Sequence, residues 1–137
     1  MQLLVNIDVP DLAAATTFYC SAVGLTIGRC FGDFGVELLG AASPIYLLVK
    51  PAGSAPSTTI AQTRSYERHW SPVHLDFVVP DIDAAVQQAL AAGAILESPV
   101  KTANWGRLAM FADPFGHGFC LVQFLGKGYD EIAQTCC

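Results

Sequence analysis

The chain carries the same alternation of apolar and polar positions twice, at residues 4–9 and at residues 74–79. Apolar side chains fall on every second residue of both segments, which predicts two β-strands that each bury one face. In both copies Val-Pro-Asp follows, and then an alanine-rich segment with apolar residues at helical spacing. The pattern therefore predicts a duplicated unit of strand, corner and helix.

Capping residues predict where the two helices begin and end. Asp11 in the first copy, and either Asp81 or Asp83 in the second, are placed to cap the N-termini. Gly24 and Gly93 are placed to end the helices. Apolar runs between turn residues predict further strands near 25–31, 34–39, 45–50, 94–98, 106–112 and 118–124.

These elements predict an α+β fold of two βαβββ modules in a single domain, 1–137. Module one covers 1–50, a linker 51–72, module two 73–125 and a C-terminal tail 126–137. The linker is rich in Pro, Gly, Ser and Thr up to Thr63. Long connections inside compact domains are often functional.

Composition narrows the classes of partner. Apolar residues make up 53% of the chain and charged residues 14%, so a packed domain is expected. The net charge of −5, with seven scattered Lys and Arg residues, argues against nucleic acid. No apolar run approaches the roughly 20 residues of a membrane span. No export signal is apparent, so we expect a cytoplasmic protein whose five cysteines, Cys136 and Cys137 included, are free thiols.

Two stretches carry a resemblance to a known family. The run Trp105 to Phe124, with Trp-Gly followed by Asp-Pro-Phe-Gly-His, resembles the strand-turn-strand of the vicinal oxygen chelate superfamily. That superfamily includes glyoxalase I, extradiol dioxygenases, fosfomycin resistance enzymes and bleomycin resistance proteins. His74 to Asp81 resembles its opening strand. The resemblance spans 3–125 and implies a curved mixed sheet around a cleft, often completed by a homodimer.

The same resemblance places the four positions that hold a metal in metal-dependent members. They correspond to Leu4, Tyr46, His74 and Cys120, where such members carry His or Gln and Glu. Leu4 has no donor atom, and a Tyr/His/Cys set does not suit the hard or borderline ions of the family. We therefore expect no metal at these positions and no cofactor.

Candidate ligand-binding residues follow from strand parity and from the resemblance, while catalytic residues stay unassigned. His74 and Asp76 share the strand face opposite the helix, and a structural role for His74 is the alternative. Arg107 is expected to bind an anionic group or an internal carboxylate such as Glu37. A His-x-Asp iron site with His69 or His117 is a further possibility for this face. The predicted ligand-binding set is Tyr46, His74, Asp76, Trp105, Arg107 and Cys120.

The favoured function is metal-free binding of a small molecule, of the glyoxalase and bleomycin-resistance type. The protein would be a homodimer that sequesters an aromatic or cationic compound in its cleft. The alternative is an enzyme, a glyoxalase-like lyase, isomerase or dioxygenase with a rearranged metal site involving His74. A third possibility is a structural or regulatory dimer without a ligand. One scaffold serves all three classes, so the residues of the site, and not the fold, distinguish these functions.

Overall fold

A computed structural model describes residues 1–134, and Cys136 and Cys137 lie outside the described residues. Module one consists of β1 (Val5–Val9), α1 (Leu12–Val23), β2 (Thr26–Cys30), β3 (Gly35–Leu39) and β4 (Ile45–Val49). Module two consists of β5 (Leu75–Val78), α2 (Ile82–Ala91), β6 (Ile95–Leu96), β7 (Lys101–Thr102), β8 (Gly106–Ala112) and β9 (Gly118–Phe124). A 3-10 helix, Gly128–Glu131, follows.

The two modules have the same sheet topology, which confirms the predicted α+β fold. Module one has the strand order β1-β4-β3-β2, with β1 parallel to β4 and the other pairs antiparallel. Module two has the order β5-β9-β8-β6, with β5 parallel to β9 and β7 also pairing with β8. The short strand β7 was not predicted, because two polar residues show no alternation.

Capping side chains set the helix boundaries. Asp11 Oδ1 accepts a hydrogen bond from the Ala14 amide at 2.9 Å, and Gly24 ends α1 with a φ of 73°. In α2 the cap is Asp81, which accepts from the Asp83 and Ala84 amides, and Asp83 lies in the first turn. The cap satisfies amides that have no partner within the helix.

The helices join the modules on the side of the sheets that carries the alternating apolar residues. Phe18 of α1 packs edge-on against Phe115 and Phe119 of module two. Beside it, the buried Tyr19 hydroxyl donates to Asp113 Oδ2 at 2.6 Å. Among the described residues the two sheets are not hydrogen-bonded to each other, so β1 and β5 are both edge strands.

The linker contains no helix or strand but is held against both modules. Arg64 Nε donates to Asp8 Oδ2 of β1 at 2.6 Å. Gly116, in the turn between β8 and β9, has a φ of +85°, and its Cβ position would overlap the Glu67 carbonyl of the linker. Only glycine therefore lets the linker backbone dock on this turn. The docking brings linker residue His69 next to His117.

Candidate functional site

Three of the predicted residues come together at the start of β5. His74 and Asp76 lie on the face opposite the half-buried, core-packed Phe77, as strand parity predicts. The register of β5 and β9 places Cys120 directly beside Asp76. His74 Nδ1 lies 2.9 Å from Asp76 Oδ1, and one donor atom from each of the three residues falls within 4.8 Å of the others.

The electrostatics of this cluster keep the thiol protonated. Burial and the adjacent Asp76 carboxylate raise the pKa of Cys120 to about 11. A nucleophilic cysteine needs the opposite shift, from a neighbouring cation or helix N-terminus. The cluster therefore offers a carboxylate, an imidazole and a neutral thiol, which suits hydrogen bonding to a ligand better than nucleophilic attack.

A cavity of about 180 Å³ opens beside the cluster and is lined in part by His74 and Cys120. Trp70, whose surface is 81% exposed, forms one wall, and Met110 lies opposite Cys120 in the β8–β9 pairing. Arg68 closes another side through a two-point ion pair with Glu97. Met110 could have been found from the sequence, because strand alternation puts it on the same sheet face as Cys120. No local pattern predicts the Arg68–Glu97 pair.

Tyr46 lies in module one and forms a separate polar group. Its hydroxyl donates to Glu37 Oε1 at 2.8 Å, and Arg29 Nη2 donates to the same oxygen at 2.5 Å. Hydrogen bonds from Arg29 and Tyr46 lower the pKa of Glu37 to about 2. The absence of a side chain at Gly28 leaves room for this carboxylate. Phe31 packs beside Tyr46, with ring centroids 6.1 Å apart.

Trp105 and Arg107 lie away from the His74 cluster. Arg107 shares the strand face of the buried Ala109 and donates two hydrogen bonds to Asp83 of α2. Its internal carboxylate partner is thus Asp83 and not Glu37. Trp105 packs against Phe124 and Tyr129. Phe124 is four residues beyond Cys120 on β9, about 13 Å along the strand.

The residues at the family's four metal positions do not fit the family's metal. Leu4 is 48% exposed and supplies no donor, and the Tyr46 phenol is engaged with Glu37 and Arg29. Only His74 and Cys120 come close together, and that thiol is protonated. A His and carboxylate set, which borderline and hard divalent ions favour, is not assembled from these positions.

His69 and His117 do not complete a two-His-one-carboxylate site with His74 and Asp76. Among residues 1–134, the one group of three or more His, Cys, Asp or Glu donors within 4.8 Å is His74, Asp76 and Cys120. His69 and His117 instead contact each other, and both line a second cavity of about 250 Å³. His74 lines the same cavity. Sequence reasoning missed this pair because linker docking creates it.

A model of the glyoxalase-like domain family matches residues 4–122. The chain belongs to the glyoxalase-like family. This glyoxalase-like protein has, in its described part, no helix of the length and apolar character that would cross a bilayer.

Two relatives are similar to this protein in sequence, and one solved structure is similar to it in fold. It is 43% identical over 132 residues to an uncharacterized protein of Mycobacterium bovis, covering 93% of this chain and 86% of that protein. It is 29% identical over 132 residues to the anthracycline biosynthesis protein DnrV of Streptomyces peucetius, covering 94% of this chain but only 43% of DnrV. The fosfomycin resistance protein FosX of Listeria monocytogenes has the same fold, with a TM-score of 0.69 at 18% identity, covering 91% of this chain and 93% of FosX.

Proposed function

We propose that this glyoxalase-like protein binds a cationic aromatic small molecule at the His74 cluster, without a metal at the family's four positions. The observation that carries the proposal is the Asp76 carboxylate, which lies at the centre of the cluster and is 35% exposed. A carboxylate that is accessible yet hydrogen-bonded in place is preorganised for a charge-assisted contact with an ammonium group.

The walls of the site complement such a ligand. Trp70 presents a large exposed aromatic surface to the cavity, and aromatic rings stack on flat ligands and attract cations. Met110 is an adaptable apolar contact on the facing strand. The protonated Cys120 thiol adds a weak donor without adding a charge. Together these groups suit the binding of a ligand better than acid-base catalysis.

An anthracycline is the first compound to test, since a relative is named for anthracycline biosynthesis. Doxorubicin joins a planar aromatic body to an amino sugar, and its aglycone keeps the body without the amine. We expect fluorescence titration to show saturable binding of doxorubicin and at least tenfold weaker binding of the aglycone. Asp76→Asn should remove the preference, whereas Asp83→Asn, at the carboxylate bound by Arg107, should not. Equal binding of both compounds to the wild type would refute a role for Asp76 in cation recognition.

We also propose that the protein is a homodimer built on the free edges of β1 and β5. Leu3 and Val73, beside these edges, are 67% and 79% exposed, and Val78 on β5 is 62% exposed. Natural proteins seldom leave apolar residues at unpaired sheet edges uncovered. Light scattering after size exclusion should give twice the chain mass of 14.6 kDa. A Val73→Lys variant should shift the protein toward monomer, and a wild-type monomer at high micromolar concentration would refute the dimer.

A dimer of this kind also offers a role for Tyr46. Joining the β1 edge of one copy to the β5 edge of another would align the module-one face that carries Tyr46 with the second copy's His74 cluster. Phe31 and the exposed Phe34, which stack with centroids 6.3 Å apart, lie near Tyr46 and would add aromatic surface. A Tyr46→Ala variant that stays dimeric but binds doxorubicin more weakly would support this arrangement. An unchanged affinity for doxorubicin would refute it.

One observation favours the alternative of an enzyme with a rearranged metal site. His74, Asp76 and Cys120 supply one nitrogen, one oxygen and one sulfur donor within 4.8 Å. The raised pKa of Cys120 opposes metal binding, because a thiol must lose its proton to become a ligand. Elemental analysis of protein purified without chelators distinguishes the two. Stoichiometric metal that is lost in both His74→Ala and Cys120→Ser would support the enzyme with a rearranged metal site and refute metal-free binding.

A further inference from the structure

All three histidines of the chain line the cavity of about 250 Å³ between the modules. Two of them, His69 of the linker and His117 of the turn before β9, face each other with His69 Nε2 and His117 Nδ1 3.2 Å apart. Both rings are half-buried. Neither residue corresponds to a metal position implied by the family resemblance, and the proposed ligand-binding function does not use them.

The outer nitrogens of the pair are tied to main-chain carbonyls. His69 Nδ1 lies 3.0 Å from the Glu67 carbonyl oxygen, and His117 Nε2 lies 2.7 Å from that of Asp8. Carbonyl oxygens only accept hydrogen bonds, so both outer nitrogens are N–H donors. In the neutral rings the two inner nitrogens therefore each present a lone pair toward the other. Two lone pairs that face each other repel, and a cation placed between them removes this repulsion.

A divalent metal ion meets this requirement with its usual geometry. A Zn–N bond is about 2.0–2.1 Å, so two imidazole ligands of a tetrahedral ion stand about 3.4 Å apart. The observed 3.2 Å separation needs little adjustment. Histidine ligands commonly donate their second ring N–H to a carbonyl or carboxylate, as both rings do here. Imidazole donors suit Zn, Ni and Cu ions.

We propose that His69 and His117 together bind a divalent transition-metal ion, with zinc as the reference ion. Its remaining coordination positions are filled by water from the cavity, because His74 falls outside the spread of donor atoms that would make a third ligand. Asp8 lines the same cavity and is paired with Arg64, and the buried Asp113 accepts from the His117 amide. Both carboxylates are engaged in these contacts, and among the described residues neither forms a group of three close donor atoms with the two histidines.

The test is titration calorimetry of the full chain with zinc chloride. We expect one ion per chain, and at least tenfold weaker binding for both His69→Gln and His117→Gln. Glutamine keeps a donor for the carbonyl contacts, and circular dichroism checks that both variants are folded. The matched controls are His74→Gln and Cys120→Ser, which should change the zinc affinity less than twofold.

Three results would overturn the proposal: no zinc binding, binding unaffected by either glutamine variant, or binding lost in the His74 or Cys120 control.

This metal site is independent of the proposed ligand site, and the variants separate the two. Doxorubicin binding depends on Asp76 and should survive His69→Gln. Zinc binding should survive Asp76→Asn. Failure of one proposal thus leaves the other standing.

Discussion

His74 Nδ1 lies 2.9 Å from Asp76 Oδ1, two residues along the same strand face. The carboxylate accepts this hydrogen bond, so His74 keeps its proton on Nδ1 and directs Nε2 away from Asp76. Histidine thereby orients Asp76 rather than activating the Cys120 thiol.

Asp76 is expected to contribute most of the charge recognition at the site. A hydrogen bond to a charged group contributes about 1.5–3 kcal/mol, which corresponds to roughly tenfold to hundredfold in affinity. Asp76→Asn should weaken the binding of doxorubicin by this factor. It should not lower the melting temperature of the protein, because the carboxylate is partly exposed. Fluorescence titration and thermal unfolding measure the two effects. A large fall in stability with unchanged affinity would assign Asp76 a structural role.

Cys120 is expected to resist alkylation at neutral pH. Its pKa is raised to about 11 by burial and by Asp76, so the reactive thiolate forms only in strongly alkaline solution. Mass spectrometry after iodoacetamide treatment should show modification of the exposed Cys30 well before Cys120. Asp76→Asn removes one of the causes of the shift and should speed alkylation of Cys120 at pH 9. Rapid labelling of Cys120 in the wild type at pH 7 would contradict this assignment.

Glu37 should make the stability of the fold depend on acid. Its pKa is lowered to about 2 by Arg29 and Tyr46, against an ordinary value of about 4.3 in an unfolded chain. The stabilisation is therefore complete above the unfolded value and is lost as the pH falls toward 2. Glu37→Gln should melt below the wild type at pH 7, and the difference should shrink steadily below pH 4. A difference that is constant from pH 7 to pH 2 would exclude this ion pair as its source.

Tyr19 and Asp113 should be a coupled pair that stabilises the contact between the modules. Asp113 is 2% exposed and accepts hydrogen bonds from the Tyr19 hydroxyl and from the Phe115 and His117 amides. Tyr19→Phe should lower the free energy of unfolding by about 1–2 kcal/mol. Asp113→Ala leaves two buried donors and one half-buried donor without their acceptor and should cost roughly 3–5 kcal/mol.

The double variant provides the control for this pair. Because the two residues share one hydrogen bond, the combined loss should fall short of the sum by roughly 0.5–3 kcal/mol. Denaturant unfolding of the four proteins measures the coupling. Strict additivity would show that the 2.6 Å contact carries no net stability.

Features set by neighbouring residues could be predicted from the sequence. Strand parity placed His74 and Asp76 on the face opposite Phe77, since side chains alternate along any strand. The Val-Pro-Asp corners predicted Asp11 as the first cap and offered Asp81 or Asp83 for the second, because a cap needs only a side-chain oxygen beside the first free amides. The structure uses Asp81. Two such units, together with the apolar runs that follow each helix, predicted the paired modules, although the short strand β7 was not among the predicted strands.

The partners of the polar side chains were decided only by the tertiary structure. Arg107 binds Asp83 because β8 packs against α2, and Trp105 packs against Tyr129 of the C-terminal 3-10 helix. His69 meets His117 across 48 positions because Gly116 admits the linker backbone. Alternation and capping are local properties of the backbone, whereas an ion pair or a shared cavity depends on how separate segments pack. The sequence by itself therefore determined the scaffold and one face of the site, and packing determined which residues share a cavity.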